Sequence, residues 1–398
     1  MDKGKENLNL TNFKKDLNTE NLKIIKDILN KINLTIGKKL LSWLFRYPRY
    51  LKNFFYLYQA YINAQQTREK ELKNGLQVPP TLILSITPHC NLKCEGCYAQ
   101  VAGNIEPYKE EKNKIYTKNT LNQEKWSKII EESRELGVFC NIIAGGEPFL
   151  FPGLIELCNN FKDRTFVIFT NGTALTPTDY ELLKYTTNLA IIVSIEGSPK
   201  ITNQRRGSKV YEKAFDTIKN LNKIGVPTGI STTITSINYK YWMDPKNIDD
   251  LIAQDIRIIF LLEYIPPSPL DTLLLTPEQR IEFRAQILEF RKIKPIFIIH
   301  SPGDEEKYGG CISAGRGFAH INAQGDLTPC PVSNIATHNL TNSSLREGLA
   351  SPLFKEICKN EHLLETEGMP CALFAHPDEV SNLAQLGGAY KTNLNLEE

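Results

Sequence analysis

The sequence predicts an α/β fold, a partial (β/α)6 TIM-like barrel with an N-terminal helical extension and a small C-terminal domain. Three observations predict it. From Thr81 onward, short β-rich runs alternate with amphipathic helical stretches, the pattern of βαβ units and a parallel sheet. Before that point Leu22, Ile25, Ile28, Leu29 and Ile32 recur at helical spacing, and Gly75 with the Pro79-Pro80 pair stops the helix. From about Pro295 the pattern changes to Gly/Pro-rich turns and a short strand pair. The expected organisation is residues 1–78, 79–294 and 295–398, with a polar tail after Tyr390.

The elements follow in order. TLILSIT (81–87) reads as the first strand, and TLNQEKWSKIIEESRELG (120–137) as a helix with a Thr120/Gln123 capping box and Gly137 just past its end. VFCNIIA (138–144), TFVIFT (165–170), LAIIVSI (189–195), PTGISTTIT (227–235) and IRIIFLL (256–262) read as five further strands. KVYEKAFDTIKNLNKIG (209–225) is a second capped, amphipathic helix. In an open relative of the (β/α)8 barrel, active-site groups sit at the C-terminal ends of the strands.

The chain has 398 residues, 41% of them apolar, and a formal net charge of +2, which argues for neither a nucleic acid nor an acidic partner. MDKGKENLNL does not read as a secretory signal, and no apolar stretch approaches the ~18 residues a membrane span needs, so a cytoplasmic location is expected. Nine cysteines in such a chain point to metal or cluster ligation rather than a disulfide framework. Cys140 and Cys158 stand alone among apolar neighbours and read as small core residues.

SITPHCNLKCEGCYAQ places Cys90, Cys94 and Cys97 in a C-x3-C-x2-C pattern directly after the first strand. Three thiolates on one loop can hold three irons of a cubane and leave the fourth open to an exchangeable ligand. Zinc is the alternative, but a structural zinc site prefers four ligands in paired units, and His89 has no paired half nearby. With its aromatic beside the last cysteine, CNLKCEGCYA resembles the cluster loop of the radical S-adenosylmethionine (SAM) superfamily, and the likeness extends over roughly residues 81–265. The resemblance implies a [4Fe-4S] cluster that binds SAM and reductively cleaves it to a 5′-deoxyadenosyl radical, with a reducing partner such as ferredoxin or flavodoxin.

Further motifs stand in the order such a family shows. Gly145, Gly146 and Glu147 follow the second strand, and by resemblance Glu147 grips the SAM amino group. Asn171 ends the third strand, Ser194 and Glu196 match positions that contact the ribose, and Arg206 resembles an arginine near the SAM carboxylate. Near the C-terminus, Cys311 and Cys330 frame a C-x13-G-x4-C spacing that resembles the auxiliary-cluster (SPASM/twitch-like) domain of radical SAM enzymes, in a shortened form. Its NAQGD turn suits a hairpin that returns the second cysteine beside the first. The resemblance implies a second, auxiliary [4Fe-4S] cluster, with Cys371 on its loop as third ligand. Cys358, which reads as a helix residue, is one candidate fourth ligand beside a non-cysteine group or the substrate. A bare zinc site is the other reading of these late cysteines.

One feature lies outside the resemblance. Residues 28–68 carry Lys31, Lys38, Lys39, Arg46, Arg49, Lys52 and Arg68 and no Asp or Glu, interleaved with aromatics from Trp43 to Tyr61. With Leu40, Leu41 and Leu44 this suits a helix lying on an anionic membrane surface, divided at Pro48. A helical cap packed on the barrel, or a dock for an acidic peptide or protein, fits the same residues; no nucleic-acid-binding module is matched. Three functions are open: a radical SAM oxidoreductase acting on a lipid or hydrophobic metabolite on the inner face of the membrane, a peptide-modifying maturase, and a non-catalytic iron–sulfur carrier. The expected order of Glu147, Ser194 and Glu196 argues against the third.

Overall fold

The computed structural model describes residues 43–44, 46–107, 120–266, 271–366 and 368–392. The apolar repeat Leu22–Ile32, together with Lys31, Lys38, Lys39, Leu40, Leu41 and Phe45, lies outside the described residues.

All six expected strands form: β1 (Thr81–Thr87), β2 (Cys140–Gly145), β3 (Thr165–Thr170), β4 (Leu189–Ser194), β5 (Thr228–Ile234) and β6 (Ile258–Glu263). They lie side by side in chain order, each parallel to the next. The sheet runs on past residue 294. β7 (Phe297–Ser301) adds parallel to β6, while β8 (Phe318–Ile321) adds parallel to β1 at the opposite edge. β9 (Asp326–Thr328) and β10 (His338–Asn339) continue from β8 as antiparallel strands, giving the order β10-β9-β8-β1-β2-β3-β4-β5-β6-β7. The sheet is open between β10 and β7. The segment 302–317 therefore crosses from the C-terminal end of one flank to the N-terminal start of a strand on the other.

Helices cover the outer face. Leu82, Leu84 and Ile86 on β1 and Phe166 and Ile168 on β3 share one core with Trp126, Ile129 and Ile130 of α2 (Gln123–Glu135). Burying each of these large side chains stabilises the fold by about 1.5–3 kcal/mol. The N-cap of α2 is Asn122, whose side chain accepts from the Lys125 amide at 3.0 Å, in place of the expected Thr120/Gln123 box. An Asn side chain satisfies a first-turn donor as well as Thr does, and here it stands one residue before the helix. On the inner face, the rings of Phe169 on β3 and Phe260 on β6 meet edge to face at 5.0 Å. Two strands separate β3 from β6, so this contact crosses the interior and narrows it.

From Arg49 on, the basic aromatic segment forms α1 (Arg49–Lys73), packed on the N-terminal end of the sheet. Arg49 donates to the Ile224 carbonyl at 2.5 Å and Tyr47 to that of Asn222 at 3.3 Å, at the C-terminus of the helix Val210–Ile224. Arg68 donates to the Gly137 carbonyl at 2.5 Å just past α2, and Asn53 to that of Thr187 before β4. Arg49 thereby meets a terminal carbonyl that helix geometry leaves without a partner and that carries the negative end of the helix dipole, and Arg68 meets the turn that follows α2. Among the described residues no helix is long and apolar enough to cross a membrane.

Candidate active site

The C-terminal ends of β1 to β4 place the expected groups on one rim. Cys90, Cys94 and Cys97 occupy the loop after β1, all partly buried. Burial pushes the Cys90 thiol up to about 12, and Glu147, Cys94 and Cys97 add to it. Burial raises Cys94 as well, opposed by the positive charge of Arg206 and Arg205. Each thiol thus stands in the field of the others, an arrangement that favours thiolates once a cation is shared between them. Among the described residues no three His, Cys, Asp or Glu side chains converge on a single ion. Thiolates on separate corners of a cubane need no such convergence.

The GGEP turn is locked to this loop. Gly146 donates to the Thr87 carbonyl at 2.8 Å and Glu147 to that of His89 at 2.7 Å. Gly145 has φ +119°, and a Cβ at Gly146 would lie 2.0 Å from the His89 oxygen, so the approach requires glycine. Glu147 is fully buried and accepts from Thr170 Oγ1 at 2.6 Å, the Asn171 amide at 2.8 Å and the Phe149 amide at 3.1 Å. Burial raises its pKa despite these donors. The Asn171 side chain in turn donates to Asn91 of the cysteine loop at 2.8 Å.

At the end of β4, Ser194 Oγ lies 3.1 Å from Ser231 Oγ. Glu196 is 0% exposed and holds two arginines of the helix Pro199–Arg206: Arg205 Nη1 at 2.5 Å and Arg206 Nε at 2.6 Å. Thr233 donates its amide to the same carboxylate at 3.0 Å. Burial alone would raise the Glu196 pKa, but Arg206 and Arg205 hold it below the ordinary carboxylate value. The sequence suggested Glu196 and Arg206 separately; the structure makes them partners. Arg206 also stands in the field of Cys94 and Cys97. Tyr264 is a contributor that sequence reasoning missed. It donates to Asp271 at 2.8 Å, and its ring packs against Gly96 of the cysteine loop, where a Cβ would come within 2.8 Å. Its only signal was its place one residue past β6.

The late cysteines divide. Cys311, Cys330 and Cys371 lie within one another's fields; Cys330 is buried and the other two are partly buried. The NAQGD hairpin forms between β8 and β9, with Gly325 at φ +95°. Burial pushes the Cys311 thiol up to about 12, with the Glu305 charge next in effect. Cys358 does not join them. It sits on the helix Pro352–Lys359, its thiol donates to the Ala314 carbonyl at 3.2 Å, and the charge nearest in effect is Arg316.

Comparison with known proteins agrees with this geometry. Residues 84–252 match the Radical SAM superfamily. The chain is 29% identical over 164 residues to the sporulation killing factor maturation protein SkfB of Bacillus subtilis, covering 40% of this chain and 37% of SkfB. It is 24% identical over 296 residues to the AdoMet-dependent heme synthase of Methanosarcina barkeri, covering 68% of this chain and 81% of that protein. The fold matches Streptococcus suis SuiB bound to its precursor peptide SuiA with a TM-score of 0.61 at 16% identity, over 79% of this chain and 74% of SuiB.

Proposed function

We propose that this chain, a radical SAM enzyme with a SAM-binding [4Fe-4S] cluster, abstracts hydrogen from a peptide substrate and carries an auxiliary cluster in its C-terminal region. The observation that carries the reading is the second set of thiols, Cys311, Cys330 and Cys371, which lie within one another's fields after the strands β7, β8 and β9 that extend the same sheet. The names of two relatives support the substrate class. SkfB is named as a maturation protein and SuiB was captured with a precursor peptide, whereas the Methanosarcina barkeri relative is named an AdoMet-dependent heme synthase. The membrane alternative loses support where Arg49 and Arg68 turn inward to backbone carbonyls.

In this reading Cys90, Cys94 and Cys97 hold the first cluster. When bound, cluster and SAM together supply a 5′-deoxyadenosyl radical after one-electron reduction by a ferredoxin- or flavodoxin-like donor. The chain's own residues position that chemistry. Gly145 and Gly146 open the backbone for close approach, and Glu147, fixed by Thr170 and Asn171, presents a carboxylate to an ammonium group. Arg206, kept cationic by Glu196, offers its positive charge beside the thiols. The test is anaerobic turnover with a pooled library of side-chain-deuterated peptides and, separately, with iron-coproporphyrin III. Deuterium appearing in 5′-deoxyadenosine from the peptides alone supports the reading; turnover with the porphyrin alone overturns it.

A further inference from the structure

Resting on the peptide reading, we infer that the residue this chain attacks carries an uncharged, apolar side chain. That side chain enters the barrel and lies against Ile83, Ile142, Val167, Phe169, Phe260 and Leu262. Side chains alternate across a strand, so each of these groups has neighbours on the opposite face. Those neighbours, among them Leu82, Leu84, Ile143, Ile168 and Leu261, are buried in the core under the helices. The six inward groups lie outside that core and are all partly exposed, although each stands on an inner strand of the sheet. Phe169 and Phe260 meet across the space they line. Solvent therefore reaches the interior of the barrel, and the wall it meets there is apolar.

From β2 to β7 every inward position of the described strands is apolar, a glycine, a cysteine or a hydroxyl residue. The acid and the imidazole of β6 and β7 face outward and are satisfied there. Glu263 accepts from Arg280 Nε at 2.6 Å and lies 2.9 Å from His300 Nε2. The charges of the rim stand beyond the strand ends and are engaged as well, Glu147 with Thr170 and Asn171, and Glu196 with Arg205 and Arg206. A lysine or glutamate side chain drawn inside would lose its water and meet no free counter-charge. A leucine, valine or phenylalanine side chain instead buries apolar area, which is favourable in proportion to that area. The interior opens at the rim that carries Cys90, Cys94, Cys97 and Glu147, so the C–H bonds it admits are those nearest the reacting centre. There one hydrogen atom passes from the substrate carbon to the 5′-deoxyadenosyl carbon, and the unpaired electron stays on the substrate.

The experiment gives the reconstituted full chain, with SAM and reductant, two pooled peptide libraries of the same degenerate design. One carries deuterium in the side chains of Leu, Val and Phe, the other in those of Lys, Glu and Asp. Deuterium should reach 5′-deoxyadenosine from the first at least about tenfold faster than from the second, a discrimination of about 1.4 kcal/mol. Leu262→Glu, which sets a carboxylate among the six groups, should narrow that ratio about tenfold by admitting lysine. Capture of the same libraries on immobilised protein, read by mass spectrometry without turnover, should show the same preference and the same shift. A smaller wild-type ratio overturns the inference and leaves the peptide reading in place. So does a Leu262→Glu protein that folds and keeps the wild-type ratio in both readouts. Should Leu262→Glu fail to fold, the wild-type comparison decides alone. Deuterium from neither library overturns the peptide reading itself.

Discussion

The carbonyl oxygen of His89 occupies the space where a Cβ on Gly146 would stand, 2.0 Å away, while the amide of Glu147 donates to that same oxygen at 2.7 Å. The cysteine loop and the GGEP turn therefore form one backbone unit. Gly146→Ala must displace it. The expected outcome is at least a roughly tenfold weakening of SAM binding, about 1.4 kcal/mol, with the distal helices unchanged. Equilibrium binding to the reconstituted protein, beside a circular dichroism spectrum, checks both.

The two thiol sets should separate by activity. Removing Cys90, Cys94 and Cys97 together should abolish 5′-deoxyadenosine release, whereas Cys311→Ala, Cys330→Ala or Cys371→Ala should reduce product more than SAM cleavage. Cys358→Ala should do neither, because its thiol serves the Ala314 carbonyl. Chromatographic quantification of 5′-deoxyadenosine and product in parallel tests this. Equal loss of both after Cys330→Ala would mean that the late set is structural.

The six strands of the barrel were legible because each is a short apolar run set between amphipathic helices, as TLILSIT and TFVIFT are. Where β7 and β8 dock was not legible. Both lie past Pro295, in the region expected to stand apart, and their pairing with β6 and β1 depends on contacts far apart in sequence. Cys90, Cys94 and Cys97 announce themselves by spacing. Burial of Glu196 between Arg205 and Arg206 becomes visible only when the strand end and the helix meet.

Glu196 lends itself to a stability test. Removing one partner from a buried ion pair costs about 3–5 kcal/mol, so Glu196→Gln should be strongly destabilised at pH 7. The sign of the pH dependence follows from the lowered folded-state pKa. Its stabilisation is present above the unfolded value of 4.5 and is lost as pH falls through the folded value. Denaturant curves for wild type and Glu196→Gln should therefore converge below pH 4.5; a constant gap down to pH 3 contradicts the pairing.

The strap formed by α1 should behave as part of the fold. Arg49→Ala and Arg68→Ala each remove a charged donor from a carbonyl at or just past a helix end, a loss of about 1–2 kcal/mol. Gly225→Ala should cost more, because φ is +73° and its Cβ would lie 2.2 Å from the Tyr47 ring. All three should retain SAM cleavage at permissive temperature, since these contacts lie at the opposite end of the strands. Flotation with anionic liposomes, followed as salt is raised, separates this role from lipid binding. Variants that melt early but float like wild type place these residues in the strap alone.

His320 provides a second titration with the same sign and a different window. It sits at 0% exposure between Ser85 Oγ and Thr328 Oγ1, each 2.7 Å from a ring nitrogen, and so joins β1, β8 and β9. Burial lowers its pKa from 6.5 to about 3. Across that interval the unfolded chain binds a proton that the folded chain refuses, so stability falls as pH drops from 6.5 toward 3. Replacing the ring by Gln keeps a donor and an acceptor in the sheet and removes the titration. The His320→Gln protein should be less stable than wild type at pH 7, because Gln cannot reach both hydroxyls with the same geometry, yet its stability should fall less between pH 6.5 and 4. If the two proteins lose stability in parallel over that range, His320 is protonated in the fold and the strand junction must accommodate a charge.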